Sequence, residues 1–284
     1  MKQFLNFGFR ANIETFTFRG KRVFIYNDHR TILNAIFFAL KNGFIKQIPN
    51  VFYFDYHDDA CNPKPSLILK AQDFNIKKCT EEDFNSIVEF EMGIMDDDWV
   101  KTGMEFNLIN NSVSIGTEKY NTSHEIYIDN KGINHDVICI SHLSSALSSR
   151  GELGDSIIKE PYFKRVRELF DYNNGHLNHF GENTAPFVLD FDLDCFAAEF
   201  RSKLMAWPEK MFIEELKDKT GFHLDITPLD FIDKLIDRCE FITICLEPGC
   251  CGGYGESFKV LSYLDKYIFE GILKTSTAHN ILYI

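Results

Sequence analysis

The chain has 284 residues and 45% hydrophobic content, long enough to bury a sizeable core. Its formal net charge is −12 and its lysines and arginines are scattered without a basic patch, which argues against nucleic acid as a partner. The eight cysteines form no CxxC pair and no short-spaced framework, so they are expected to be reduced thiols.

The N-terminal stretch MKQFLNFGFRANIET has no uninterrupted apolar run of signal-peptide length. No later segment approaches the roughly 18 apolar residues of a membrane span. The expectation is an unexported, cytoplasmic protein with no membrane partner. No repeat, low-complexity tract or Pro/Gly/Ser linker divides the chain, so residues 1–284 read as one domain.

In chain order, RVFIYN (22–27) reads as a β-rich strand and TILNAIFFALKNG (31–43) as a helix stopped by Gly43. VFYF (51–54) returns as a strand, completing a βαβ unit whose apolar strands suit a parallel sheet covered on both faces. NSVSIG (111–116), EIYID (125–129) and DVICIS (136–141) follow as strands, then PYFKRVRELFDY (161–172) as a helix with Pro161 in its first turn. APFVLDF (185–191) is a strand, and TPLDFIDKLIDRC (227–239) is a helix with Thr227 as N-cap and Pro228 at its first position. FITICLE (241–247) is a buried strand, and a long helix over 257–273 follows the loop PGCCGGYG. The predicted fold class is α/β with a mainly parallel sheet.

Three of these strands run into ionisable residues. RVFIY ends in Asp28 and His29, VFYF in Asp55, Tyr56, His57, Asp58 and Asp59, and the strand from Pro186 in Asp190, Asp192 and Asp194. Parallel strands place such ends on one edge, where open α/β sheets bind ligands. Two carboxylates about 4 Å apart repel by about 4 kcal/mol at an effective dielectric of 20, so converging acids require protons or metal ions. Alternation along an extended backbone is expected to turn Asp55, His57 and Asp59 to one side, and Asp192 and Asp194 likewise.

The segments NDHR, DYHDD and FDLDCF, in this order, resemble the Gly-Gly-Asp-His, Asp-x-His-x-Asp and Asp-x-Asp elements of the arginase, agmatinase and histone deacetylase (ureohydrolase-like) superfamily. The nearest likeness is to an arginase-like branch rather than to any enzyme of known substrate. The resemblance implies a three-layer α/β/α fold, a centre of two divalent ions, manganese foremost, and hydrolysis of a non-peptide carbon–nitrogen bond. Carried over residue by residue, it implies His29, Asp55, His57, Asp59, Asp192 and Asp194 as metal ligands. The chain departs from the pattern at Tyr26 and Asn27, where the family has Gly-Gly, and in lacking the Pro after Asp-x-Asp. ACNPKPSLILKAQDFNIKKC also lacks the His that arginine-splitting members use as a proton shuttle.

His142, after DVICIS, is a candidate for the missing proton carrier. Glu247 stands where arginase-like enzymes place a Glu that binds a guanidinium, so the candidate catalytic residues are Asp59, His142 and Glu247. His176 and His179 lie in a polar, glycine-flanked stretch that reads as solvent-exposed, PGCCGGYGES as a mobile rim of the crevice, and MDDDW (95–99) as a turn or helix start. Asp58, Asp190 and Glu247 are expected to make the entrance acidic and to favour a small cationic amine or guanidinium as substrate. Two alternatives stand beside a metallohydrolase of this kind: a metal-dependent phosphoesterase, suggested by DLDCF, and a non-catalytic metal-binding member of the fold.

Overall fold

The computed structural model describes residues 5–6, 12–93, 97–117, 123–141, 172–173, 176–177, 186–200, 202–217 and 227–273. Among these, the central sheet contains β1 (Leu5–Asn6), β2 (Asn12–Phe18), β3 (Lys21–Tyr26), β4 (Asn50–Phe54), β5 (Ser112–Thr117), β6 (Ser123–Ile128) and β7 (Asn134–Ser141). After the small β8 (Tyr172–Asn173) and β9 (His176–Leu177) pair comes β10 (Phe187–Asp192), and after the β11 (Ala197–Phe200) and β12 (Lys203–Ala206) hairpin comes β13 (Phe241–Cys245). The sheet order is β1-β2-β3-β13-β10-β4-β5-β7-β6. From β3 through β7 every neighbouring pair is parallel, and only the margins, β1-β2-β3 and β7-β6, are antiparallel.

The helices are α1 (Ile32–Lys41), α2 (Pro65–Gln72), α3 (Glu81–Glu91), α4 (Trp99–Glu105), α5 (Glu209–Lys217), α6 (Pro228–Arg238), the single turn α7 (Pro248–Cys251) and α8 (Tyr254–Tyr267). Every residue of β4, β10 and β13 is buried, because these strands occupy the middle of the sheet and are covered on both faces. Alternation sorts their side chains. Phe24, Val51 and Tyr53 pack with α1–α4, whereas Ile25, Phe52, Phe54, Phe191 and Ile244 pack with α5, α6 and α8. The result is a mixed α/β architecture in three layers.

Local chemistry explains the helices that border the site. In α1, Ile32, Leu33, Ala35, Ile36, Phe37 and Ala39 are all buried, so the helix is held by packing more than by its ends. A reciprocal capping box starts α6, with the Asp230 amide donating to Thr227 Oγ1 at 3.0 Å and the Thr227 amide to Asp230 Oδ2 at 2.9 Å. The last long helix runs over Tyr254–Tyr267 rather than 257–273, and within the expected rim PGCCGGYGES residues Pro248–Cys251 form a single helical turn. Gly252, at φ 92, closes that turn, where a Cβ would lie 2.1 Å from the Leu204 carbonyl oxygen. The helix expected over 161–172 lies outside the described residues, save for Tyr172 at the start of β8. Among the described residues, no helix is long and apolar enough to cross a membrane.

Candidate metal centre

Four adjacent strands, β3, β13, β10 and β4, present their carboxyl ends together. They end in step: Tyr26 is paired with Cys245, Cys245 with Asp192, and Phe191 with Phe54. The segments that follow carry His29, Glu247, Asp194 and Asp55–Asp59 away from the sheet at one level. Gly116 helps bring β5 close. It has φ 100, and a Cβ there would lie 2.6 Å from Cys195 Sγ and 3.0 Å from the Asp55 carbonyl oxygen.

The inner donor group centres on His29, which is fully buried. Its Nδ1 lies 2.8 Å from Asp59 Oδ2, 2.9 Å from Asp192 Oδ2 and 3.3 Å from Asp55 Oδ2. These contacts are close, yet His29 Nδ1, Asp55 Oδ2 and Asp192 Oδ2 are buried without a hydrogen-bond partner. Adjacent ligands on an octahedral cation with bonds of about 2.1 Å sit about 3.0 Å apart, the spacing seen here. Unpaired buried polar atoms at that spacing fit a cation among them. Behind the ring, His29 Nε2 meets Asp190 Oδ2 at 2.9 Å, and Tyr26 Oη donates to Asp190 Oδ1 at 3.1 Å. With its proton on Nε2, His29 turns the Nδ1 lone pair toward the three carboxylates, the usual arrangement of a carboxylate-supported metal-binding histidine.

The outer group comprises Asp55, His57 and Asp194. His57 Nδ1 lies 2.9 Å from Asp194 Oδ2 and 3.9 Å from Asp55 Oδ1, so Asp55 serves both groups with different oxygens. Asp194 Oδ2 is another buried atom without a hydrogen bond. The expected extended geometry is not what brings these residues together. β4 ends at Phe54, the chain bends through Tyr56 and His57, and Asp59 takes a left-handed conformation at φ 44. Asp194 likewise belongs to a 3-10 turn, Leu193–Phe196, whose amide at Asp194 donates to Asp192 Oδ1 at 3.2 Å. Tight turns at strand ends, rather than alternation, make the ligands converge.

Burial and mutual repulsion dominate the electrostatics. Burial, reinforced by Asp59, Asp194 and Asp192, holds Asp55 well above the usual carboxylate range. Burial and the charge of Asp194 push Asp192 up to about 6. Burial and Asp192 push Glu247 up to about 11. Burial would lower His29, but Asp190 and Asp192 outweigh it and hold the ring well above its usual value, while Asp194 beside His57 raises that ring to about 9. Each shift is the response of an acid cluster whose charge needs a compensating cation or protons.

Glu247 adjoins both groups: with His29 and Asp192 it makes one potential ligand set, and with Asp194 and Cys250 another. It precedes the turn Pro248–Cys251 at φ 31 and makes no side-chain cap, so two residues of the site, Asp59 and Glu247, hold strained left-handed backbones. Asp190, expected at the acidic entrance, is instead fully buried behind His29. Its position two residues before Asp192 on one strand face was a readable signal for that supporting role. Asp58 is partly buried, and Arg30, the one base within the first motif, is occupied by Asp28 at 2.8 and 3.1 Å. Cys250, in the stretch read as a rim of the crevice, joins the outer donor group. One contributor was not anticipated: Trp99 donates its indole N–H to Asp59 Oδ2 at 2.6 Å. His142 and His179 lie outside the described residues, and His176 begins β9. All eight cysteines are free thiols.

These buried His and Asp groups could hold a metal ion. In comparisons with known proteins, no family model and no curated protein sequence matches the chain.

Proposed function

We propose that the chain is a metal-dependent hydrolase of the ureohydrolase and deacetylase type, with an arginase-like fold and a centre for two divalent cations, manganese foremost. Its substrate is a small cationic guanidine, amidine or amide, cleaved at a non-peptide carbon–nitrogen bond. One observation carries this reading: two donor groups, joined by Asp55, stand at the carboxyl ends of four adjacent strands and retain unpaired buried ligand atoms. A set of carboxylate oxygens with two imidazoles suits manganese better than zinc, whose structural sites prefer nitrogen and sulfur.

Divalent cations in such a site supply Lewis acidity and lower the pKa of water toward neutrality. The chain does the rest. Asp55, Asp59 and Asp192 with His29 form the inner seat, and His57 with Asp194 and Asp55 the outer one. Asp190 fixes the His29 tautomer. Glu247, partly exposed beside both groups, receives the cationic end of the substrate, and the surplus of acids over free bases repels phosphate.

The test is elemental analysis of purified protein together with activity screening against guanidino, ureido, N-acetyl and phosphoester compounds. Bound manganese with turnover of a cationic guanidine or amide is the expected result. Turnover of phosphoesters alone, or protein that takes up no divalent metal, overturns the reading.

A further inference from the structure

We infer that Trp99 is a positioning residue of the metal centre, setting cation affinity through the Asp59 carboxylate; this rests on the reading of the site as a metal centre. Helix α4 supplies none of the candidate ligands, yet its first turn grips the loop that does. Trp99 is fully buried, and its Nε1–H donates 2.6 Å to Asp59 Oδ2, the same oxygen that lies 2.8 Å from His29 Nδ1. The next residue repeats the hold on the backbone, with the Val100 amide donating to the Asp59 carbonyl at 3.2 Å. The indole also packs 4.8 Å from the His29 ring and 5.2 Å from the Tyr53 ring, and Tyr53 Oη donates to the Asp58 carbonyl at 2.6 Å.

These contacts solve a problem the loop creates for itself. Asp59 sits at φ 44, a conformation that a non-glycine residue keeps only where its surroundings over-determine it. A buried indole N–H needs an acceptor, and a buried carboxylate oxygen needs donors, so each group satisfies the other. The donor is also uncharged. It fixes Asp59 Oδ2 without adding positive charge that would oppose a cation beside His29.

The test compares wild type with Trp99→Phe, which keeps an aromatic ring and removes the N–H. Manganese affinity, measured by calorimetry, should fall about 10- to 100-fold, the range for loss of a partner that orients a ligand. A second measurement does not depend on that variant folding. The chain has two tryptophans, Trp99 and Trp207, so Trp207→Phe leaves Trp99 as the sole indole emitter. Cobalt titration of that protein should quench its emission saturably, with the affinity that calorimetry gives for cobalt. Trp99→Phe protein that binds manganese as wild type does, or Trp99 emission that ignores cobalt known to be bound, overturns the positioning role while leaving the metal centre intact. Wild-type protein that takes up neither ion overturns the metal-centre reading itself, and the role of Trp99 with it.

Discussion

The inner and outer donor groups share Asp55 and border a common Glu247, yet they differ in how they are enclosed. Around His29, Asp55, Asp59 and Asp192 are buried, and the candidate ligands are held from behind by Asp190 and Trp99. Around His57 the site opens: the His57 side chain is 41% exposed, and Glu247 and Cys250 are partly exposed. The inner group is therefore preorganised by the sheet and the helices packed on it, while the outer group borders solvent where a substrate can arrive. On the proposed reading, a rigid seat beside an open one would let one cation be held by structure and the other meet the substrate.

The largest effect should come from breaking the inner group. His29→Ala leaves Asp190 buried without its ring partner, which should cost about 3–5 kcal/mol in denaturant unfolding, whereas His57→Ala at the half-open seat should cost much less and lower manganese stoichiometry from two to one. Equal destabilisation by the two variants would erase the distinction.

Removing the shared ligand should come next. With manganese at 100 times its Kd, wild type should gain about 2.7 kcal/mol per site over chelated protein, a rise in melting temperature of about 5–10 °C. Asp55→Asn should abolish that gain and, by relieving repulsion from Asp59, Asp192 and Asp194, make the chelated protein more stable than chelated wild type. A normal manganese response in this variant would remove Asp55 from both seats.

At the open side, Glu247→Gln should lower kcat/KM for a cationic substrate by about 1.5–3 kcal/mol, the range for hydrogen bonds to charged groups, with metal content retained. Unchanged kinetics would take Glu247 out of substrate recognition.

The most graded effect is that of pH. Folding raises Asp192 from 3.8 to about 6, Glu247 from 4.5 to about 11, and His57 from 6.5 to about 9. Each group binds its proton more tightly when folded, so its contribution is complete below the unfolded value and is lost as pH rises through the folded one. Chelated protein should therefore lose stability from about pH 4 toward pH 11. The added stabilisation by manganese should grow over the same range, because its ligands must first shed protons. Melting curves with chelator and with manganese, taken across this range, should diverge as pH rises, and convergence would sink the linkage.

The buried parallel strands were legible because VFYF and FITIC are uninterrupted apolar runs, the mark of strands covered on both faces. Helix α6 was legible from Thr227 and Pro228 at its start. Helices α2, α3 and α5 were passed over, although Thr80 and Asp83 at the start of α3 form a capping box that the T-E-E-D spelling announces, whereas the helix-start reading of MDDDW meets α4 beginning at Trp99. In the site, Asp55, His57 and Asp59 could be singled out from their spacing, but the reason for their convergence could not. An extended reading predicts one face by alternation, and the chain uses a bend and a left-handed Asp59 instead. Trp99 had no local signal at all, since its partner Asp59 lies 40 residues away.

Which strands are buried, and which of them end in acids and histidines, could be read from local pattern, because apolar runs and ionisable clusters are local properties of the chain. The packed fold alone sets β13 and β10 between β3 and β4, aligning four strand ends in one register. It also decided that Asp190 faces inward against His29 rather than outward to solvent. Strand order and the direction of a buried carboxylate depend on contacts between distant segments, whose closure entropy and packing no local pattern encodes.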